Sequence, residues 1–127
     1  MSNIFIVLLM LFFHIVDDYH FQGILASMKQ KEWWKENAPQ QSYRYDYIMA
    51  LMMHSLSWSF MIMLPIAFAN GLNIGMNFAF VLIANTILHG IVDDLKANRK
   101  KINLIIDQSI HLLQIVATAI LFIRGMI

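Results

Sequence analysis

Four long apolar stretches, separated by short polar connectors, dominate the pattern of hydrophobic and polar positions along the chain. They cover residues 4–25, 47–69, 76–92 and 102–123. Each has about the 17–25 residues that a helix needs to cross a bilayer at 1.5 Å per residue. In hydrocarbon a backbone must satisfy its own hydrogen bonds, so such stretches fold as helices. The pattern predicts an all-α integral membrane protein, an antiparallel four-helix bundle that forms one domain over residues 1–127.

The amino-acid composition also predicts a membrane protein. Hydrophobic residues make up 59% of the 127 positions and charged residues 13%, whereas soluble domains have about 45–50% and 25%. A chain of this length has too little interior to hide that much apolar surface from water. The net charge of +1 indicates no nucleic-acid partner. The absence of cysteine excludes disulfides, thiolate metal ligands and cysteine nucleophiles.

The basic residues predict how the helices are oriented. Eight of the nine lie in the first and third connectors, and only Arg124 lies on the opposite side; the eight are Lys29, Lys31, Lys35, Arg44, Lys96, Arg99, Lys100 and Lys101. Short loops rich in Lys and Arg stay in the cytoplasm. We therefore expect a multi-pass protein with both termini outside the cytoplasm. The first stretch carries Asp17 and Asp18 and has no basic leader, so we expect a retained span rather than a signal peptide.

Aromatic residues are concentrated in the first connector. They are Trp33, Trp34, Tyr43, Tyr45 and Tyr47. Aromatic rings that lie partly in water and partly in lipid are typical of the headgroup region of a bilayer. An interfacial belt is therefore the first interpretation, and contact with a substrate is the alternative.

Ionisable residues inside the apolar stretches each cost about 2.5–3.5 kcal/mol to insert, so they need partners. Three His–Asp pairs have a spacing of four residues, which places both members on one helical face: His14 with Asp18, His89 with Asp93, and Asp107 with His111. In the predicted orientation every Asp lies nearer the cytoplasm and every His one turn deeper. His54 lies at about the depth of the other histidines. We therefore expect four imidazoles and three carboxylates to converge on one centre.

Imidazole nitrogen and carboxylate oxygen are ligands for Zn²⁺, Mn²⁺ or Fe²⁺. Seven candidates are too many for one tetrahedral ion, so we expect one or two divalent ions, with zinc first. The predicted ligands are His14, Asp18, His54, His89, Asp93, Asp107 and His111. Three of them, Asp18, Asp93 and Asp107, are also the predicted catalytic acid or base groups. Contacts to the ligands or to a substrate are expected from Asp17, Gln22, Asn85, Asp94, Lys96 and Gln108.

These residues favour a metal-dependent hydrolase that acts on a lipid, or on a lipid-linked phosphate or ester, at the cytoplasmic leaflet. Lys96 and its basic neighbours lie close enough to the predicted centre to contact a phosphate. Two alternatives stay open: a proton or cation transport element, and a non-catalytic membrane interaction protein with a polar core. Membrane lipids are expected partners, and a homodimer through helix faces containing Gly and Ser is compatible with the sequence.

The order of these motifs resembles a known family. It consists of H-x-x-x-D-Y-x-x-Q from His14 to Gln22, a lone His54, H-x-x-x-D-x-x-K from His89, and D-Q-x-x-H from Asp107. Together these resemble, over nearly the whole chain, the domain of unknown function thirty-three-oh-seven, a family of small bacterial and phage integral membrane proteins. The resemblance implies a place in the bacterial inner membrane and implies no activity.

A looser similarity to membrane-bound metal-dependent hydrolases agrees with the metal interpretation. This sequence has two adjacent aspartates in each of the first two paired motifs, at 17–18 and at 93–94. Which member of each doublet binds the metal is therefore left open.

Overall fold

The computed structural model describes all 127 residues, and the chain is helical without any strand. Its elements are α1 (Asn3–Val16), a π-helix (Asp17–Phe21), α2 (Leu25–Met28), α3 (Lys31–Asn37), a 3-10 helix (Gln41–Tyr43), α4 (Asp46–Ala69), α5 (Met76–Ala97) and α6 (Leu104–Ile123). Four helical segments are long and apolar enough to cross a membrane, namely Asn3–Phe21, Gln41–Ala69, Met76–Ala97 and Leu104–Ile123. The prediction of an all-α chain with four such helices is confirmed.

The four long helices pack around a shared interior. Helix α4 packs against α1 and α5, and α6 packs against α5 and α1. About half of the 28 buried residues are polar or charged, while the outward faces carry many exposed Ile, Leu, Met and Phe side chains. In water-soluble proteins charged residues are almost never fully buried unless they are paired. This distribution is typical of helices whose outer surfaces contact lipid.

An apolar core fills the part of the interior where α4 and α6 end. Ile62 and Ile66 of α4 pack there with Ile6 of α1, Phe78 of α5 and Ala119 of α6. In helices that span a membrane such a region is held together by close van der Waals packing, because lipid tails are as apolar as these side chains. Most of the buried polar residues occupy the other part of the interior, toward Lys29 and the end of α2.

Two of the predicted spans end at other positions than expected. The first, predicted to reach residue 25, leaves α-helical geometry after Val16, and Gly23 follows with a φ of 50°. The third continues five residues beyond its predicted end, to Ala97. Its last turn is polar but remains helical because Asp94 accepts hydrogen bonds from Asn98 and Arg99.

Helices α4 and α5 approach each other closely at a glycine. A Cβ atom at Gly90 would lie 3.0 Å from Oγ of Ser55, and real Cβ contacts are seldom this short. Small residues at such crossings let the backbones of membrane helices come together. This approach matters for the interior because Gly90 directly follows His89, and Ser55 directly follows His54.

We expect Gly90→Val to lower the thermal unfolding midpoint of the detergent-solubilised protein. The added side chain would force α4 and α5 apart, and overpacking of this kind costs about 1–3 kcal/mol. Ile91→Val is the matched control because the Ile91 side chain is exposed. Circular dichroism at increasing temperature measures both variants, and an unchanged midpoint for Gly90→Val would contradict the close crossing.

Candidate metal centre

Six of the seven predicted ligands lie together in the polar part of the interior. Each is at most 6% exposed. Every long helical segment contributes at least one of them: Asp18 from the π-helix after α1, His54 from α4, His89 and Asp93 from α5, and Asp107 and His111 from α6. The cluster therefore depends on the packing of all four segments.

The first group of donor atoms surrounds the His54 ring. Its Nε2 atom lies 3.1 Å from Nε2 of His89, 3.2 Å from Oδ2 of Asp93 and 3.5 Å from Oδ1 of Asp18. Nε2 of His89 lies 3.8 Å from the same Asp93 oxygen. Ligand atoms around a tetrahedral ion with bonds of about 2.0–2.1 Å are about 3.3 Å apart. The spacing of this group therefore suits a zinc-sized ion.

The second group lies on the other side of Asp93. Nε2 of His111 is 3.5 Å from Oδ1 of Asp93 and 3.4 Å from Oδ1 of Asp107. All three atoms are buried and have no hydrogen-bond partner. Buried polar atoms without a partner cost about 1–3 kcal/mol each, more when charged. A cation next to Nε2 of His111 would satisfy the atoms that it contacts.

Asp93 connects the two groups because its two oxygens face in different directions. Oδ2 faces His54, and Oδ1 faces His111. Two overlapping sets of side chains are close enough to hold a metal ion, one formed by Asp18, His54 and His89, the other by His89, Asp93 and His111. The buried His and Asp side chains could therefore bind metal.

Trp58 orients the imidazole rings. Its indole stacks on His89 with centroids 4.2 Å apart, and His89 stacks on His111 at 4.1 Å. Trp58 follows His54 by four residues, so both lie on the same face of α4. Sequence analysis missed Trp58, although this spacing would have indicated it.

His14 is the predicted ligand that lies apart from the groups. Its Nδ1 accepts a hydrogen bond of 2.8 Å from Nε1 of Trp58. A neutral imidazole that accepts at Nδ1 carries its hydrogen on Nε2, which leaves no lone pair for a metal. His14 also makes no ion pair with Asp18, whose carboxylate contacts His54 and Gln108 instead.

Two lysines supply positive charge from the connector side. Lys29, only 6% exposed, donates to Oδ2 of Asp93 at 2.6 Å. Lys96 donates to Oδ2 of Asp107 at 2.6 Å. Sequence analysis treated Lys29 only as a topology signal, and its separation of 64 positions from Asp93 offers no spacing that would reveal the contact.

The remaining predicted residues divide between the cluster and its surroundings. Gln108 belongs to the cluster, because its Nε2 donates to Oδ2 of Asp18 at 3.0 Å and to Oδ2 of Asp107 at 2.9 Å. Asn85 lies one contact further away. It accepts from Gln114, whose Oε1 is 3.3 Å from Nδ1 of His111.

Three predicted residues lie outside the two groups. Asp17 accepts a 2.6 Å hydrogen bond from the Ser57 hydroxyl, and Asp94 pairs with Arg99. Gln22 donates back to the main-chain oxygen of Asp18. In both aspartate doublets one member thus faces the cluster and its neighbour binds elsewhere.

No family model, curated protein or solved structure matches this chain. The family resemblance stays a prediction, and the geometry of the cluster is the evidence available on function.

We expect Lys29→Met to destabilise the chelator-treated protein by about 3–5 kcal/mol, because it leaves a buried carboxylate without its partner. The second substitution Asp93→Asn should restore much of the loss by removing that charge. Lys35→Met is the control, since the Lys35 side chain is 69% exposed. Denaturant titration in detergent measures the free energy of unfolding. Equal losses from Lys29→Met and Lys35→Met, or no recovery in the double variant, would contradict the pairing.

Proposed function

We propose that this chain is an integral membrane metalloprotein that hydrolyses a lipid, or a lipid-linked phosphate or ester. In this proposal the four helices form an antiparallel bundle across the bacterial cytoplasmic membrane, with the connectors around Lys29 and Lys96 in the cytoplasm. The observation that supports it most directly is the convergence of buried, unpartnered atoms from His111, Asp93 and Asp107. Within hydrocarbon these atoms have no water to satisfy them.

The charge balance of the interior supports a divalent ion. Four buried carboxylates, those of Asp17, Asp18, Asp93 and Asp107, face two ammonium groups, those of Lys29 and Lys96. With neutral imidazoles this leaves two negative charges in a region where uncompensated charge is expensive. One divalent ion offsets that charge, and the charge of a second ion is balanced by hydroxide or by the phosphate of a substrate.

We assign two ion positions that share Asp93. His54 and His89 complete the first position, with Asp18 beside it, and His111 and Asp107 complete the second. The mixture of imidazole and carboxylate ligands and the spacing of 3.1–3.8 Å favour zinc. Manganese and iron accept the same ligand types.

A divalent ion bound there would supply a Lewis acid that activates water and polarises the ester. Asp18 is the group we assign as general base, because it is the most exposed carboxylate of the cluster and Gln108 holds one of its oxygens. Lys29 and Lys96 lie beside the carboxylates and can donate to phosphate oxygens of a substrate. The proposed hydrolysis therefore needs a substrate whose phosphate or ester group reaches the end of the bundle next to Lys29 and Lys96.

The transport alternative requires a polar path through the whole bundle. From His111 a buried chain of hydrogen bonds runs through Gln114 and Asn85 to Thr118. Beyond Thr118 the interior is the apolar core around Ile66. The polar groups thus extend over one part of the interior only, which favours hydrolysis over a relay that crosses the membrane.

Metal analysis of the purified protein tests the assignment of ligands. We expect about two zinc ions per chain, as in two-metal hydrolytic sites, about one in His111→Ala, and none in Asp93→Ala. His14→Gln should keep the wild-type content, and His20→Ala is the exposed control. Chains without stoichiometric metal, or loss of metal in His20→Ala, would contradict the proposal.

Hydrolysis is tested with short-chain phosphatidic acid and phosphatidylglycerol in mixed micelles. We expect release of phosphate or fatty acid that stops with a chelator and returns with zinc. Asp18→Asn should lower kcat by about 10²–10⁴-fold, the usual contribution of a general base, with little change in KM. His20→Ala should remain active. The opposite outcome is proton flux in liposomes that Asp93→Asn abolishes, with no hydrolysis, and it would favour the transport alternative.

A further inference from the structure

A second feature, separate from the metal centre, is a cavity formed by the first connector. Its volume is about 510 Å³, it is open on one side, and α3 and the segment leading to α4 line it. Three cations line it, Lys31, Lys35 and Arg44, and no Asp or Glu side chain does. The volume lies within the about 300–1,000 Å³ typical of small-ligand sites. An open cavity with positive charge of this kind is suited to an anion.

Aromatic rings hold two of these cations in place. Nζ of Lys31 lies 4.8 Å from the centre of the Tyr47 ring, and Cζ of Arg44 lies 5.3 Å from that of Tyr45. Such cation–π contacts restrict the long side chains without neutralising their charge. Lys35 differs, because it forms an exposed ion pair with Glu32 at 2.7 Å. Exposed pairs are weak, so a ligand can replace Glu32.

Contacts with other elements keep the cavity wall folded. Nε1 of Trp34 donates to the main-chain oxygen of Met28 at 2.6 Å, and its ring stacks on Tyr43. The main-chain nitrogen of Lys31 donates to Asn98 at 2.8 Å. The cavity is therefore formed by structured chain and not by a loose loop.

In the membrane arrangement proposed above, the cavity lies near the depth of the lipid phosphates. Helix α4 has 24 residues, which gives a length of about 36 Å against a hydrocarbon core of about 30 Å. Its first turn, with Tyr47, therefore extends into the headgroup layer. Trp and Tyr are enriched at this level of membrane proteins.

We propose that this cavity binds the phosphate group of an anionic membrane lipid. Lys31 and Arg44 donate to the phosphate oxygens, and Arg44 can do so with two parallel hydrogen bonds. The rings of Tyr45 and Tyr47 border the remainder of the headgroup. None of these residues belongs to the metal groups, so the proposal stands independently of the hydrolytic function.

Native mass spectrometry of the full chain in neutral detergent tests this proposal, with phosphatidylglycerol, phosphatidylcholine and glycerol 3-phosphate as probes. We expect one phosphatidylglycerol per chain, bound more tightly than the other two. Lys31→Gln and Arg44→Gln should each weaken its binding about tenfold, through loss of one charge-assisted contact. Lys101→Gln is the matched control, an exposed cation outside the cavity.

Several outcomes would overturn the proposal. Equal weakening by Lys101→Gln would indicate general attraction between charges. Equal affinity for phosphatidylcholine would mean that the anionic headgroup is not selected, and equal affinity for glycerol 3-phosphate would assign the cavity to a soluble phosphate ester. Zinc content measured on the same samples separates this test from the metal centre, since Lys31→Gln and Arg44→Gln should retain their metal.

Discussion

The enclosure of carboxylate charge between apolar helices is the constraint on which the rest of the structure depends. A carboxylate away from water needs a cation or several hydrogen-bond donors, and here the partners come from different elements. Lys29 reaches Asp93 from the first connector, and Lys96 of α5 reaches Asp107 of α6. The connectors therefore fold back onto the bundle. The close crossing of α4 and α5 at Gly90 also contributes to this polar interior, because it brings the rings of His54 and His89 into contact.

The parts of the site that follow regular helical geometry could be predicted from the sequence. Because α5 and α6 are unbroken α-helices, the spacing of four residues brings His89 close to Asp93 and Asp107 close to His111. The same spacing gives no direct contact between His14 and Asp18, which lie where the α-helix changes to a π-helical turn. That turn buries two adjacent aspartates, each toward a different partner. A change of helix type leaves no periodic signal in the sequence, so only packing reveals it.

The contacts made by the connector residues could not be predicted from residue spacing, for another reason. Lys29, Lys31 and Arg44 were expected only to determine topology, and that expectation concerns which side of a membrane they occupy. Their individual contacts depend on how α2 and α3 fold against Asn98. The two roles are compatible, because cations kept at one membrane face lie beside lipid phosphates. The topology signal and the proposed phosphate site thus use the same side chains.

The segment from Lys29 to Lys31 connects the two sites physically. Asn98 accepts from the main-chain nitrogen of Lys31 and donates to the main-chain oxygen of Lys29, so one side chain of the third connector holds both residues. From this fixed segment the Lys29 ammonium points to Asp93, while Lys31 lines the cavity. A lipid phosphate bound at Lys31 would therefore lie on the same side of the bundle as the carboxylates. Since the polar interior ends at Thr118 and the apolar core fills the rest, the polar cluster lies toward this same side of the bundle.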